Sequence, residues 1–148
     1  MKNIVFVCTG NTCRSPMAEG IAKKLAQQKE LALNFSSRGT SVYMEEKANP
    51  LAKNAAKAYS SDLEEHFSKA FSEKDAEKSE IVLTMTLRHK EYLKEKYPKY
   101  KDKIFTIKEY VGEKGDIADP FGKNKEAYEA CAKELYDLIN KILTNIQE

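Results

Sequence analysis

The sequence opens with the patterns of a strand, a tight loop and a helix in direct succession, and this order constrains the fold most. Ile4–Val7 is a short run of β-branched and aromatic residues, which is typical of a strand buried on both faces. After the loop, small and apolar residues recur at helical spacing from Met17 to about Lys29. Ser15 is predicted as the N-cap of this helix and Pro16 as its first residue. Such a unit is typical of a parallel α/β sheet.

The same alternation of strand and helix patterns continues along the chain. Further strands are predicted at Leu33–Ser37, Ile81–Met85 and Lys103–Ile107. Helices are predicted at Pro50–Tyr59, Glu73–Lys78, Leu87–Lys96 and Glu126–Ile146, the last with an apolar face of Ala127, Cys131, Leu135, Leu138, Ile142 and Ile146. This order predicts an α/β fold, a parallel sheet with helices on both faces and right-handed crossovers. Ligands of such sheets bind at the carboxyl ends of the strands.

Length and composition limit the classes of protein to which the chain can belong. Its 148 residues match a single domain, 1–148, that can bury a core without disulfides or metal. The formal charge of +2 is nearly balanced, which argues against a nucleic-acid partner. No apolar run approaches the roughly 20 residues of a membrane-spanning helix, and the three cysteines form no disulfide framework. We therefore expect a cytoplasmic monomer without membrane or nucleic-acid partners.

The loop between the first strand and the first helix reads Cys8-Thr9-Gly10-Asn11-Thr12-Cys13-Arg14 and is followed by Ser15. Successive backbone N–H groups in a tight loop form an anion site, and the N-terminus of the following helix adds positive potential. Gly10 permits tight wrapping, and the Arg14 guanidinium can pair with two phosphate oxygens. The same field favours the thiolate of Cys8, to which Ser15 can donate a hydrogen bond. We expect an enzyme that removes phosphoryl groups with Cys8 as nucleophile.

Two of the cysteines leave alternatives open. Cys8 alone would fit a small buried residue at a strand end, but its spacing from Arg14 favours a catalytic role. Cys13 either packs in the core or forms a reversible disulfide with Cys8 under oxidation. A zinc site is not expected, since the remaining candidate ligands are scattered without ligand spacing: Cys131, His66 and His89.

A leaving group needs a proton donor, and the sequence offers two carboxylates in one loop. Asp116 and Asp119 both lie within the segment Gly112–Gly122, and Pro120 stiffens the backbone after Asp119. An Asp-Pro pair is also typical of an ordinary turn. The residue pattern alone leaves the choice open.

Longer segments of the sequence are similar to one enzyme family. The run CTGNTCRSPMAE (Cys8–Glu19), with Asp119-Pro120-Phe121 downstream, resembles the low-molecular-weight protein tyrosine phosphatase family, and IVLTM and FTIKEYVG extend the likeness over nearly the whole chain. The resemblance implies a four-stranded parallel sheet with flanking helices and a two-step mechanism without metal or cofactor. It implies that Cys8 forms a phosphocysteine while Arg14 and the loop amides hold the phosphoryl oxygens. Asp119 would be the acid and then the base that activates water.

The resemblance also assigns supporting residues around the loop. Asn11 matches an asparagine that props the loop through side-chain hydrogen bonds, and Ser37 and His66 match partners of that asparagine. For His66 an ordinary surface histidine in the charged stretch Glu64–Lys69 is an equal alternative. Arg38 stands where many members have alanine, which adds a charge near the site.

Two positions bear on the substrate. Thr12 stands where tyrosine phosphatases of the family commonly have isoleucine, and Phe121 precedes Gly122 where many have two aromatic residues. In this respect the sequence is most similar to the bacterial protein arginine phosphatases. A phosphoarginine guanidinium is planar and cationic, and Thr12, Asp119 and Phe121 offer it a hydroxyl, a carboxylate and a flat face. We expect phosphoarginine in proteins as the substrate, with phosphotyrosine as the alternative, because one β-branched exchange changes a pocket little.

Two further interpretations are weaker. An arsenate reductase shares this fold and loop, but it needs a pair of resolving cysteines near the fourth helix, where this chain has none. A non-catalytic phosphoprotein-binding module is disfavoured because Cys8, Arg14 and Asp119 are all present. The lysine-rich stretch Lys94–Lys103 is interrupted by acidic residues, which favours a solvated surface over nucleic-acid binding.

Overall fold

The computed structural model describes residues 2–147, so Met1 and Glu148 of the expected 1–148 domain lie outside the described residues. The strands are Lys2–Cys8 (β1), Leu33–Gly39 (β2), Ile81–Thr84 (β3) and Ile104–Thr106 (β4). The helices are Arg14–Gln28 (α1), Pro50–Lys57 (α2), Glu73–Lys78 (α3), Leu87–Lys96 (α4) and Lys125–Gln147 (α5), with short 3-10 helices at Pro98–Lys103 and Glu109–Val111. Every strand and α-helix predicted from the sequence is present, with some differences at the ends.

The four strands form one sheet in the order β2-β1-β3-β4, and every neighbouring pair is parallel. Strand β1 lies in the centre, where Val5 is opposite Ser36 of β2 and Val82 of β3. This confirms the predicted α/β fold with a four-stranded parallel sheet. Because all strands run in one direction, their carboxyl ends lie along the same edge of the sheet.

Helices cover both faces of the sheet, as predicted. Ile4 and Phe6 belong to the larger apolar core, which side chains of α1, α2 and α5 complete. Val5 and Val7 belong to a second core with side chains of α3 and α4. Successive side chains of a strand point to opposite faces, so β1 is buried on both sides. This explains why its sequence is a continuous apolar run.

Helix α1 begins inside the loop, at Arg14, and the prediction of Ser15 as its N-cap is wrong. The N-cap residue is Cys13, whose side chain makes no capping hydrogen bond. Ser15 is already helical, and its hydroxyl oxygen lies 2.9 Å from Cys8 Sγ and 2.8 Å from Nδ2 of Asn11. A capping serine accepts a hydrogen bond from an amide of its own helix, whereas the Ser15 hydroxyl contacts side chains of the loop.

Strand β2 continues past its predicted end at Ser37 to Gly39. The Gly39 N–H donates to the Lys69 carbonyl at 2.9 Å, and the Gly39 carbonyl accepts from the Phe71 N–H at 2.8 Å. A Cβ at position 39 would lie 2.6 Å from the carbonyl oxygen of Thr9, a contact that real Cβ atoms do not make. Glycine therefore allows the end of β2 to approach the loop after β1.

Helix α5 is the longest element, and its predicted apolar face packs on the larger core. Cys131, Leu135, Leu138 and Ile142 are buried, and Tyr128 extends the face at its beginning. Within residues 2–147 no helix, α5 included, combines the length and apolar character needed to cross a membrane.

Candidate active site

The loop of residues 8–15 lies at the carboxyl edge of the sheet and contains the predicted nucleophile. Cys8 is the last residue of β1 and is only 2% exposed. Its Sγ lies 2.9 Å from the hydroxyl oxygen of Ser15, which can donate a hydrogen bond to a thiolate. The chain then turns directly into α1, so the positive end of that helix adjoins the loop. Both features place a hydrogen-bond donor or positive potential beside Cys8.

Asn11 is held by hydrogen bonds with Ser15, at the start of α1, and with the segment that contains His66 and Lys69. Its φ of 57° is a left-handed conformation, which asparagine tolerates better than most residues. The side-chain amide donates to Ser15 Oγ at 2.8 Å and accepts from the Lys69 N–H at 2.9 Å. His66 Nε2 lies 2.8 Å from the Asn11 carbonyl oxygen, to which it donates. The structure thus places His66 against the loop, although it contacts the backbone of Asn11 and not its side chain.

The expectation that Ser37 is a partner of Asn11 is wrong. The Ser37 hydroxyl donates instead to Oε1 of Glu19, at 2.6 Å. Glu19 belongs to α1, which packs on β2, and this packing brings its carboxylate to Ser37. The neighbouring Arg38 forms an ion pair of 3.2 Å with Asp75, which lies in α3. Both side chains therefore tie β2 to helices.

Arg14 links the loop to the segment that carries Asp119. Its guanidinium is buried, with 5% of the residue exposed, and Nη1 donates to the Ile117 carbonyl at 2.9 Å. Nη2 lies 3.5 Å from Oδ2 of Asp119, whose side chain is half exposed. The Ile117 N–H in turn donates to the carbonyl of Met85, just after β3. The backbone around Ile117 is therefore fixed on both sides, and it brings Asp119 to the loop.

The structure separates the two carboxylates between which the residue pattern could not choose. Oδ1 of Asp116 accepts a hydrogen bond of 2.9 Å from the N–H of Leu87, the first residue of α4. Asp116 is therefore a structural acceptor at a helix N-terminus. Asp119 accepts a hydrogen bond of 3.1 Å from the Phe121 N–H and is the carboxylate beside Arg14.

A cleft of about 400 Å³ opens above the loop. Its floor is formed by Cys8–Arg14, and Asp119 and Phe121 line one part of its wall. The wall is continued by the segment 41–44 after β2, together with Glu46 and Ser68. Phe121 is 68% exposed, and Tyr43 and Met44 are 94% and 67% exposed. We call these three side chains the mouth of the cleft.

Cys13 lines the cleft and also contacts helix α5. It is buried, and its Sγ lies 3.5 Å from the hydroxyl oxygen of Tyr128 in α5. Burial raises the pKa of the Cys13 thiol, and it raises the pKa of Cys131 to about 12. Cys8, Cys13 and Cys131 are all free thiols. The structure shows the packed arrangement of Cys13, and the reversible disulfide with Cys8 stays a prediction.

His89 also contacts the loop, which the sequence analysis did not predict. This buried residue lies in α4, and its Nε2 is 2.8 Å from Oγ1 of Thr9. Burial and the charge of Arg14 lower its pKa to about 4. Within residues 2–147 no three His, Cys, Asp or Glu side chains are grouped so that they could hold a metal ion.

Comparison with known proteins agrees with this geometry. The sequence model of the family described as low molecular weight phosphotyrosine protein phosphatase matches residues 3–148. The chain belongs to this family. Relatives in this family are named protein phosphatases, and for the loop of residues 8–15, predicted above to bind phosphate, we use the name phosphate-binding loop.

Relatives within the low-molecular-weight phosphatase family carry names with two different substrates. The chain is 39% identical over 147 residues to a protein-arginine-phosphatase of Bacillus subtilis (strain 168), covering 99% of this chain and 97% of that protein. It is 41% identical over 142 residues to the low molecular weight protein-tyrosine-phosphatase PtpB of Staphylococcus haemolyticus (strain JCSC1435), covering 96% and 98%. The crystal structure of a low molecular weight protein tyrosine phosphatase from T. tengcongensis superposes with a TM-score of 0.95 at 40% identity, covering 98% of this chain and 99% of that one. The identities to the arginine phosphatase and to the tyrosine phosphatase PtpB differ by only two percentage points.

Most of the residues predicted for a low-molecular-weight phosphatase site surround one cleft in this structure. Cys8, Arg14, Asp119 and Phe121 line it, together with the loop positions predicted to bind phosphate from Thr9 to Cys13. Gly39, His89 and the mouth residues Tyr43 and Met44 were not among the site residues predicted from the sequence. The segment 41–44 follows the carboxyl end of a parallel strand, and that position alone could have marked it as part of a binding site.

Proposed function

We propose that this phosphatase cleaves its substrate in two steps through a phosphocysteine at Cys8. The observation that carries the proposal is the combination of Cys8 at the end of β1, Arg14 buried in the same loop and Asp119 held beside Arg14. A nucleophile, a dianion-binding group and a proton donor thus line one cleft. A binding module would need the dianion-binding group, but neither the nucleophile nor the proton donor.

In the first step the Cys8 thiolate attacks phosphorus. A bond forms between Sγ and phosphorus while the bond from phosphorus to the leaving atom breaks. Asp119, in its protonated form, donates its proton to that leaving atom. The loop amides, the N-terminus of α1 and the Arg14 guanidinium stabilise the phosphoryl oxygens as their charge rearranges.

In the second step water hydrolyses the phosphocysteine. The Asp119 carboxylate accepts a proton from the water, whose oxygen bonds to phosphorus as the bond to Sγ breaks. Cys8 leaves as a thiolate, and the hydroxyl of Ser15, 2.9 Å from Sγ, stabilises that thiolate. Inorganic phosphate is the product, and both Cys8 and Asp119 return to their starting forms.

We propose phosphoarginine in proteins as the substrate. Thr12, Asp119 and Phe121 line the same cleft, so a hydroxyl, a carboxylate and an exposed aromatic face surround the entrance to Cys8. These groups suit a planar cation, which the carboxylate attracts and the ring can stack against. The Bacillus subtilis relative, a protein-arginine-phosphatase, supports this choice.

Phosphotyrosine is the second candidate, and a specific feature favours it. The mouth residues Tyr43, Met44 and Phe121 are apolar and exposed, which suits contact with a phenol ring. The Staphylococcus haemolyticus relative is a protein-tyrosine-phosphatase. Action on phosphorylated proteins is common to both candidates. The expected monomeric state and cytoplasmic location stay predictions.

The substrate is tested by comparing kcat/KM on matched peptides that carry phosphoarginine or phosphotyrosine at the same position. We expect the wild type to prefer phosphoarginine. Thr12→Ile should shift the ratio toward phosphotyrosine by about tenfold, because it removes a hydroxyl and adds apolar surface. Cys8→Ser, which should abolish turnover of both peptides, is the control for the mechanism. A wild type that prefers phosphotyrosine, with a ratio unaffected by Thr12→Ile, would exclude the arginine assignment.

A further inference from the structure

The chain has two histidines, and both contact the phosphate-binding loop through Nε2. His66 Nε2 lies 2.8 Å from the Asn11 carbonyl oxygen, and His89 Nε2 lies 2.8 Å from the Thr9 hydroxyl oxygen. The two imidazoles therefore hold the loop on either side of Gly10. His66 has a carbonyl as its only described partner at Nε2, so its role is to donate. His89 has a hydroxyl, which can donate or accept, and the two-step mechanism above does not use it.

A chain of hydrogen bonds connects His89 to the end of β3. Thr86 is the N-cap of α4, and its hydroxyl oxygen accepts from the backbone N–H of His89 at 3.2 Å. The same oxygen lies 3.0 Å from Nδ1 of His89. The hydroxyl of Thr84 donates to the Thr86 carbonyl at 2.9 Å, which fixes the cap at the end of the strand. His89 is thus positioned by β3 and the start of α4, and it presents Nε2 to the loop.

Counting donors and acceptors favours one direction for these hydrogen bonds, because only then does the Thr86 hydroxyl hydrogen have an acceptor. The Thr86 hydroxyl already accepts from the His89 N–H, and its own hydrogen has Nδ1 of His89 as its described acceptor. If Nδ1 accepts that hydrogen, the neutral imidazole carries its proton on Nε2. Nε2–H then donates to Thr9 Oγ1, and the hydroxyl hydrogen of Thr9 stays available. Thr9 is exposed and lines the cleft beside Cys8.

We infer that His89 is a positioning residue that holds the Thr9 hydroxyl as an acceptor, so that Thr9 presents its hydrogen to the phosphoryl oxygens in the cleft. The inference rests on the proposed function and adds a side-chain donor to the loop amides and Arg14. Donors already oriented before the reaction stabilise the developing charge without reorganisation. The Thr86–His89–Thr9 chain supplies this orientation.

Burial is the main reason that the imidazole of His89 is neutral near neutral pH. Two positive charges oppose its protonation: Arg14 of α1 and Arg88 in the first turn of its own helix. Asp116 and Asp119 favour its protonation. Burial is the largest influence, and the pKa is lowered to about 4. A protonated imidazole would lose the acceptor at Nδ1, so neutrality is a condition for the proposed chain.

The kinetic test uses substitutions that separate the two ring nitrogens. The amide nitrogen of glutamine occupies a place similar to that of Nε2, whereas the asparagine amide reaches only the position of Nδ1. We expect His89→Asn to lower kcat roughly tenfold and His89→Gln to restore most of the loss. Thr9→Val should match His89→Asn, and Thr9→Ser should retain activity. The double variant Thr9→Val/His89→Asn should be no slower than Thr9→Val alone, because the two changes remove the same hydrogen bond between Thr9 and His89. Glu91→Gln, an exposed change in α4, is the control.

Imidazole nitrogen NMR provides a test that does not depend on turnover. With only two histidines, the signals can be assigned from His66→Gln and His89→Gln. We expect His89 to carry its proton on Nε2 and to stay neutral well below pH 6.5. A proton on Nδ1 of neutral His89 would overturn the inference, whatever the kinetics show.

The outcomes of these experiments also distinguish the inference from the proposed function. If Cys8→Ser abolishes turnover but His89→Asn and Thr9→Val are as fast as wild type, the mechanism stands and the inference fails. The inference fails as well if the losses of the two single variants multiply in the double variant. If turnover survives Cys8→Ser, the proposed function fails, while the NMR result still reports on the hydrogen-bond chain. Should His89→Asn not fold, Thr9→Val and the NMR measurement decide.

Discussion

The floor and the mouth of the cleft are built in opposite ways. On the floor, Cys8, Asn11 and Arg14 are buried and each has a defined hydrogen-bond or ion-pair partner. At the mouth, Tyr43, Met44 and Phe121 are mostly exposed. Buried and partnered polar groups keep a fixed geometry, whereas exposed side chains can change at little cost in stability. The difference indicates that the chemistry is fixed by the floor and that recognition of the rest of the substrate is left to the mouth.

The largest effect is expected for the acid. Asp119→Ala should lower kcat by about 10²- to 10⁴-fold, because the leaving group then lacks a positioned proton donor. Asp116→Ala removes a carboxylate from the same loop and is the matched control. We expect it to leave kcat nearly unchanged and to lower the free energy of unfolding by about 1 kcal/mol, through the N-terminus of α4. Steady-state kinetics and urea unfolding measure the two effects, and equal losses of kcat would contradict the distinct roles of the two aspartates.

The next effect concerns the pH dependence of stability on the floor. The pKa of His89 is about 4 in the folded protein and has its ordinary value of 6.5 in the unfolded chain. Between these values the unfolded state binds more protons, so stability is fully present above pH 6.5 and is lost as pH falls toward 4. The loss should approach about 3 kcal/mol. Urea unfolding at pH 7 and pH 4 should therefore show a larger drop for wild type than for His89→Gln, which has no titrating group. Identical drops would contradict this.

Asn11 tests whether the shape of the floor depends on side-chain hydrogen bonds. Asn11→Ala leaves the Lys69 N–H without its acceptor and places alanine at a φ of 57°. We expect the free energy of unfolding to fall by about 1–3 kcal/mol and kcat to fall with it. Asn34→Ala, at an exposed asparagine of β2, should change stability by less than about 0.5 kcal/mol. If the two variants were equally stable, the loop would not depend on Asn11.

The smallest effect is expected at the mouth. The double variant Tyr43→Ala/Met44→Ala should raise KM for a phosphopeptide a few-fold, since the two side chains lose contact area with the peptide. A small acyl phosphate, which has no ring to contact the mouth, should show no change in KM, and kcat should stay as in wild type. Equal changes in KM for both substrates would show that Tyr43 and Met44 act as part of the floor, and would contradict the distinction between floor and mouth.

The structural features that could be predicted from the sequence are those whose residue pattern lies within a single segment. The buried strand Ile4–Val7 and the helical spacing of α5 are patterns within one segment, and both were predicted correctly. The loop itself is a contiguous motif and was recognised. Asp119 is distant in sequence, and only the family resemblance distinguished it from Asp116.

The parts that could not be predicted are contacts between distant residues with no local pattern. The hydrogen bond between Thr9 and His89 joins β1–α1 to α4, and His89 in isolation looks like any histidine in a charged helix. Ser37 was assigned to Asn11 by resemblance, but the packing of α1 on β2 brought it to Glu19. Ser15 had the residue type and position of an N-cap, but its hydroxyl contacts the Cys8 thiol and does not cap the helix. In each case tertiary contact outweighed local preference.

The bonds around Asn11 have a consequence for turnover in the presence of product. The loop is shaped by hydrogen bonds of Asn11 with Ser15, Lys69 and His66, so it needs no ordering when an anion enters. Binding that requires little ordering keeps more of its interaction energy as affinity, whichever ligand arrives. Inorganic phosphate carries the same oxygens as the transferred group and should therefore occupy the floor as a competitive inhibitor. The rate in a phosphate-rich medium would then depend on how quickly product leaves a loop that is already in its binding shape.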